Sequence, residues 1–202
     1  MQLVKRLLPV TLIGFVVVLI AVLNYKPGTI LTGWDNLHPE YNFAANIKRS
    51  IFAVWQEYQG LGLLGGMGHS SDLLRQIFLL ILSSFMPVTF LRFFWTFLTL
   101  FIGGVGSYFL IKNLSGSKFA STLGAIFYIL NLSTVQAYYV PFEVFTAHFA
   151  VLPWLILGSL NFFRNSSKKT LLIFVIILFL ATPAAYVPTL FAVYLIAVTI
   201  VL

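Results

Sequence analysis

A chain of 202 residues that is 60% hydrophobic and only 8% charged has too few polar side chains to cover a globule in water, which excludes a soluble fold and indicates an integral membrane protein. The absence of cysteine excludes disulfide frameworks and thiolate metal sites, and three scattered histidines make a poor metal cluster. The formal net charge of +7 is assigned to membrane topology, where Lys and Arg set orientation, so no nucleic-acid partner is expected.

In chain order, Lys5 and Arg6 precede an apolar run over 7–23. The run is longer than a signal-peptide core and no A-x-A cleavage site follows, so it reads as a retained anchor with a cytoplasmic N-terminus. Residues 24–91 read as a first extracytoplasmic loop with surface or re-entrant helices. Within it, Pro39 suits a first helical position, and Ala44, Ile47, Ile51, Val54, Trp55 and Tyr58 recur at helical spacing. This predicts an amphipathic helix on the membrane surface with Trp55 and Tyr58 at headgroup depth. A glycine-rich loop, "GLGLLGGMGH", leads to the short apolar segment 73–88, which carries Arg75 and Gln76. Longer runs follow at 92–111, 119–132, 147–163, 170–186 and from Pro188 onward. The expected fold is all-α, a polytopic helix bundle of about six crossings at about 20 residues each. Residues 1–202 form one transmembrane domain, and the last run, which reaches Leu202 without a polar flank, suggests an N-terminal piece of a longer protein.

Charge sets the expected orientation. If 73–88 does not cross, Lys112, Lys118, Arg164, Lys168 and Lys169 lie on the side of Lys5 and Arg6, satisfying the positive-inside rule. All five acids, Asp35, Glu40, Glu57, Asp72 and Glu143, then fall on the extracytoplasmic side. Gly103, Gly104, Gly106 and Ser107 within one span suggest close helix packing.

Among motifs, Gly60, Gly62 and Gly65 spell G-x-G-x-x-G, but the expected surface helix precedes them and membrane follows, so a dinucleotide site is not expected in this context. A bending loop and a loop whose N–H groups help hold a phosphate remain as readings. Asp35, in "GWDNLHPEYN", is either a solvated or capping acid or a general base for an attacking hydroxyl. Glu40 reads as a helix N-terminal acid, and Glu143 as either catalytic or a hydrogen-bonding partner. Arg75 and Arg92 are costly in a bilayer and so are functional candidates; the alternative is that each snorkels or pairs with Asp72 or Glu143. His69 and Asp72 read as part of a phosphate or metal site or as a plain polar loop.

Three stretches, "MPVTFLRFFWTFL", "FASTLGAIFYILN" and "FEVFTAHFAVLPWLIL", together with an acid in the first external loop after the first span, resemble GT-C type integral-membrane glycosyltransferases. The nearer resemblance is to the N-terminal membrane region of the bacterial alpha-(1→3)-arabinofuranosyltransferase D family, whose members are far longer. The resemblance implies a bacterial plasma-membrane enzyme that moves a sugar from a polyprenyl-phosphate donor to a cell-envelope glycan acceptor with inversion. Asp35 matches the family's first-loop acid, the general base, and Glu143 is a second acid near the site. Arg75, Arg92 and His69 are the candidate donor-phosphate ligands, with a divalent metal ion as a further way of stabilising the leaving phosphate. The rival readings are a transporter or flippase for lipid-linked glycans and a non-catalytic envelope-assembly protein.

Overall fold

The first apolar run folds as α1 (Gln2–Asn24), and its Ile13, Val17 and Ile20, spaced to share one helical face, pack into the main core. The structure is a computed structural model that describes residues 2–33, 38–52, 55–56, 61–64 and 68–201. The polar stretch after α1 contains a 3-10 turn, Pro39–Tyr41, and α2 (Phe43–Phe52). It continues through a two-residue antiparallel pair, β1 (Trp55–Gln56) with β2 (Leu63–Leu64). Then come α3 (Gly68–Ser71), α4 (Leu73–Ser83), α5 (Val88–Ser115), α6 (Lys118–Leu130) and α7 (Leu132–Tyr139). The chain ends with α8 (Glu143–Arg164), α9 (Lys168–Leu180), a 3-10 segment Thr182–Tyr186, and α10 (Pro188–Val201).

Among the described residues three helices, α1, α5 and α8, are long and apolar enough to cross a bilayer, and the 41° bent pair α6–α7 makes a fourth if counted as one crossing. Their many exposed Leu, Ile, Val and Phe side chains fit contact with lipid, where helices satisfy every backbone group internally. At 11 residues, α4 is about 16 Å long, too short to cross.

Two of these spans, α5 and α8, run parallel. Arg92 meets Glu143 near their first turns and Asn113 meets Asn161 near their last, with Gly103 against Phe149 and Gly106 against Trp154 between. A Cβ on Gly103 would lie 2.5 Å from the Phe149 ring and 2.9 Å from its carbonyl oxygen, so glycine is what permits this approach. Trp154 Nε1 donates to the Ile102 carbonyl at 3.0 Å across the same seam. Both α1 and α6 are antiparallel to α5: Ile13 lies by Gly104 and Tyr25 by Phe90, while Gly124 lies by Ile111 and Ile129 by Gly104. The bundle therefore has one end holding Arg92 and Glu143 and another holding the α5–α6 and α8–α9 turns.

Some boundaries differ from expectation. The amphipathic helix stops at Phe52, and Trp55 sits in β1, because two-residue pairing with β2 takes up that backbone; Val54 and Tyr58 lie outside the described residues. The connector "STVQAYYVPFEVFT" is largely helical, since Asn131 accepts from the Thr134 N–H and starts α7. The run over 170–186 breaks after Leu180, where Pro183 cannot continue an α-helical ladder.

Candidate functional site

The described acids converge. Glu143 opens α8, and its Oε1 lies 2.5 Å from Arg75 Nη1 and 2.7 Å from Arg92 Nη1. One carboxylate oxygen thus joins α4, α5 and α8. Asp72, immediately before α4, takes Arg75 in a bidentate fork, Nε to Oδ1 at 2.6 Å and Nη2 to Oδ2 at 2.7 Å, the geometry that guanidinium and carboxylate planes favour. The i,i+3 spacing of Asp72 and Arg75 at the helix start makes that fork local. Gln76, one residue on, donates to Asp72 Oδ2 at 3.0 Å and to Ser50 Oγ of α2 at 2.8 Å. Arg92 Nε donates to Glu40 Oε1 at 2.8 Å, and His38 Nδ1 lies 3.3 Å from the same oxygen. Arg92 and Glu40 side chains are each 2% exposed, so the 3-10 turn Pro39–Tyr41 is tied to the first turn of α5 by a pair shielded from water.

Three carboxylates face two guanidiniums here. Burial alone works against the charge of Arg75, but the carboxylates of Glu143 and Asp72 outweigh it and hold the guanidinium more firmly protonated than usual. Burial pushes Glu40 up, yet the hydrogen bond and charge of Arg92 prevail and set it below the usual carboxylate range. His69 is lowered by burial and by the charge of Arg49, so it is neutral at pH 7. All of these ions are paired, as buried charges must be.

Of the residues singled out in the sequence, Arg75, Arg92 and Glu143 come together in one cluster. The pairing alternative for the two arginines is the arrangement present, with Asp72 and Glu143 as partners. His69 is buried in α3 with its ring edge-on to Tyr186 at 6.0 Å. Asp35 lies outside the described residues, as do Gly60 and Gly65; Gly62 is described, with φ of 96°, a left-handed conformation that glycine adopts without strain. Glu40 stands in the first turn of the three-residue 3-10 helix that Pro39 opens, and its carboxylate is in addition engaged by Arg92. Among the described residues no three His, Asp or Glu side chains are grouped to hold a metal ion. Glu40, Asp72 and Glu143 each already serve a guanidinium, so this donor set does not fit a metal.

A cavity of about 410 Å³ adjoins the cluster. Arg75 and Thr99 are at its wall, with Phe78, Trp95, Leu98 and Trp154 among the largely apolar lining, which also includes Ala184. It is bounded by α4, α5, α8, α9 and the 3-10 segment Thr182–Tyr186. The Gln76–Ser50 and Arg92–Glu40 pairings and the cavity are what the sequence does not disclose. The 72, 75, 76 spacing was a usable signal for Gln76, whereas nothing local connects Glu40 with a partner 52 positions away. Comparison of the chain with protein-family models, curated proteins and solved structures finds no match.

Proposed function

We propose that the protein is a membrane glycosyltransferase of GT-C type, moving a sugar from a polyprenyl-phosphate donor to a cell-envelope glycan acceptor on the extracytoplasmic side of a bacterial plasma membrane. The observation that carries the reading is the apolar cavity with Arg75 at its wall. An isoprenoid chain suits such a cavity, and its phosphate would lie toward the arginine-bearing cluster. In the reaction, Asp35 takes the proton of the acceptor hydroxyl, whose oxygen attacks the anomeric carbon from the face opposite the phosphate. The bond from that carbon to the phosphate oxygen breaks, and the polyprenyl phosphate leaves with the electron pair. Arg75 and Arg92 offset the charge developing on it when the phosphate takes the place of Glu143, the carboxylate that both guanidiniums share. His69, neutral and one helix away, is the weakest of the phosphate-ligand candidates. About six crossings complete the proposed architecture, the further two being α9 continued by the 3-10 segment Thr182–Tyr186 and a span that begins with α10.

One feature favours the rival reading of lipid-linked glycan translocation. The break between α9 and α10, with Pro183 and Pro188, is the kind of discontinuous helix that transporters use around a substrate. The deciding experiment is sugar transfer from a polyprenyl-phosphate donor by the full-length protein in liposomes, compared with Asp35→Asn. Transfer by the wild type and its loss in a normally inserted variant support the enzyme. Donor movement across the bilayer without transfer supports the transporter.

A further inference from the structure

The opposite end of the bundle carries a charge pattern that the proposed reaction does not use. Asn113 of α5 accepts a hydrogen bond from Arg164 Nη1 at 2.7 Å and donates to Asn161 Oδ1 at 3.1 Å. These bonds clamp the α5–α6 turn to the α8–α9 turn and fix the Arg164 guanidinium on the surface. The two turns are tight. Gly116, at φ of 68°, ends α5, Ser117 caps α6, and Ser167 with Thr170 forms a reciprocal cap on α9. Their convergence gathers Lys112, Lys118, Arg164, Lys168 and Lys169 at one end.

Among the described residues no acid balances these five cations. The chain has no Asp or Glu between Asp72 and Glu143 and none after Glu143, and Glu40, Asp72 and Glu143 are all in the ion cluster at the other end. Arg92 and Lys112 are 20 positions apart on one helix, about 30 Å at 1.5 Å per residue, which is the thickness of a hydrocarbon core. The basic face is thus placed at headgroup depth when α5 crosses. Around it Leu114, Phe119, Phe163 and Leu172 are exposed, offering apolar surface where the acyl chains of a bound lipid would run.

We propose that this seam between the α5–α6 and α8–α9 turns is a binding site for anionic phospholipid headgroups of the leaflet in which it sits. The cations supply the attraction, Arg164 the oriented donor for a phosphate, and the apolar flanks the selection for a lipid over a soluble anion. This inference is independent of the sugar-transfer reading, because it uses neither Asp35 nor the arginine–carboxylate cluster.

The test is native mass spectrometry of the intact protein in neutral detergent with phosphatidylglycerol or phosphatidylcholine. The expected result is preferential retention of phosphatidylglycerol, weakening as salt rises. The triple variant Lys118→Gln/Lys168→Gln/Lys169→Gln should lose about 100-fold of that preference, at roughly fivefold per cation. The control Lys26→Gln/Lys48→Gln, at the other end, should keep it. Equal retention of the two lipids, a preference indifferent to salt, or the same loss in the control would overturn the proposal. Full displacement of phosphatidylglycerol by millimolar inorganic phosphate would also overturn it, indicating a free-anion site. If the triple variant fails to insert, the lipid, salt and phosphate arms on the wild type still decide.

Discussion

Replacing Glu143 by Gln keeps the side chain's shape and removes the charge that joins two arginines. Opposing effects have to be weighed. Three carboxylates against two guanidiniums leave one negative charge in excess, so neutralising one acid relieves repulsion. Against that, Glu143 Oε1 is 2.5 Å and 2.7 Å from the two guanidiniums, whereas the other carboxylates face it from beyond those same guanidiniums. Coulomb energy falls with distance, so the attraction lost exceeds the repulsion relieved. Breaking a buried pair from one side costs about 3–5 kcal/mol. Arg75 retains Asp72 and Arg92 retains Glu40, which places Glu143→Gln near the lower end, at about 3 kcal/mol. For a chain of this length that corresponds to a fall in Tm of roughly 6–12 °C. The assay is thermal unfolding in detergent, followed by tryptophan fluorescence and size-exclusion recovery. A cycle with Arg92→Gln should also show a coupling energy of about 0.5–3 kcal/mol between the two sites. A Glu143→Gln protein with unchanged or raised Tm would refute the reasoning, by showing that the excess charge dominates and that the cluster does not hold α4, α5 and α8 together.

Three further outcomes are expected. Gly103→Ala should cost about 1–3 kcal/mol by overpacking, because its new Cβ meets backbone as well as ring atoms of Phe149; a wild-type Tm would show that α5 and α8 do not approach so closely. Glu40 is held below its reference value of 4.5, so its contribution is complete above that pH and disappears as pH falls through the lower folded-state value. Melting scans from pH 7 to 3 should therefore show a steeper acid loss in the wild type than in Glu40→Gln, and identical slopes would contradict the Arg92 pairing. Single cysteines at Ser117 and Ser167, in a chain with no native cysteine, should label from the same side of the membrane and from the side opposite a cysteine at Thr29. Labelling of Ser117 and Ser167 from opposite sides would break the parallel α5–α8 arrangement.

The sequence was most informative where one helix faces one environment. Apolar length marked α1, α5 and α8, and the glycines of α5 announced a close contact whose partner, α8, only the fold identifies. Within 73–88, α4 has 11 residues, fewer than the about 20 of a helical crossing. Breaks inside apolar stretches were harder to read, because the lipid-facing side chains of α9 show no periodicity across the stop at Leu180, and one proline within a greasy run is compatible with either a kink or an end. The ion cluster was half legible. Rarity of charge in an apolar chain flagged Arg75, Arg92 and Glu143, and local spacing tied Asp72 to Arg75. The Arg92–Glu40 pair depends on how a three-residue 3-10 turn lies against α5, which is a tertiary matter with no local signature. Asp35, the residue on which the chemistry was placed, lies outside the described residues and stands on its position in the first loop and on the resemblance.

The most direct test of the central claim joins the cavity to the chemistry. Sugar transfer from a polyprenyl-phosphate donor is measured with the full-length protein in liposomes for wild type, Asp35→Asn and Ala184→Trp, each confirmed as inserted and folded. The expected results are transfer by the wild type, a fall of at least about 100-fold for Asp35→Asn from loss of the general base, and a raised KM for lipid-linked donor in Ala184→Trp, whose bulk fills part of the cavity. Wild-type transfer rates in a well-folded Asp35→Asn protein, or an unchanged donor KM in Ala184→Trp, would contradict that claim.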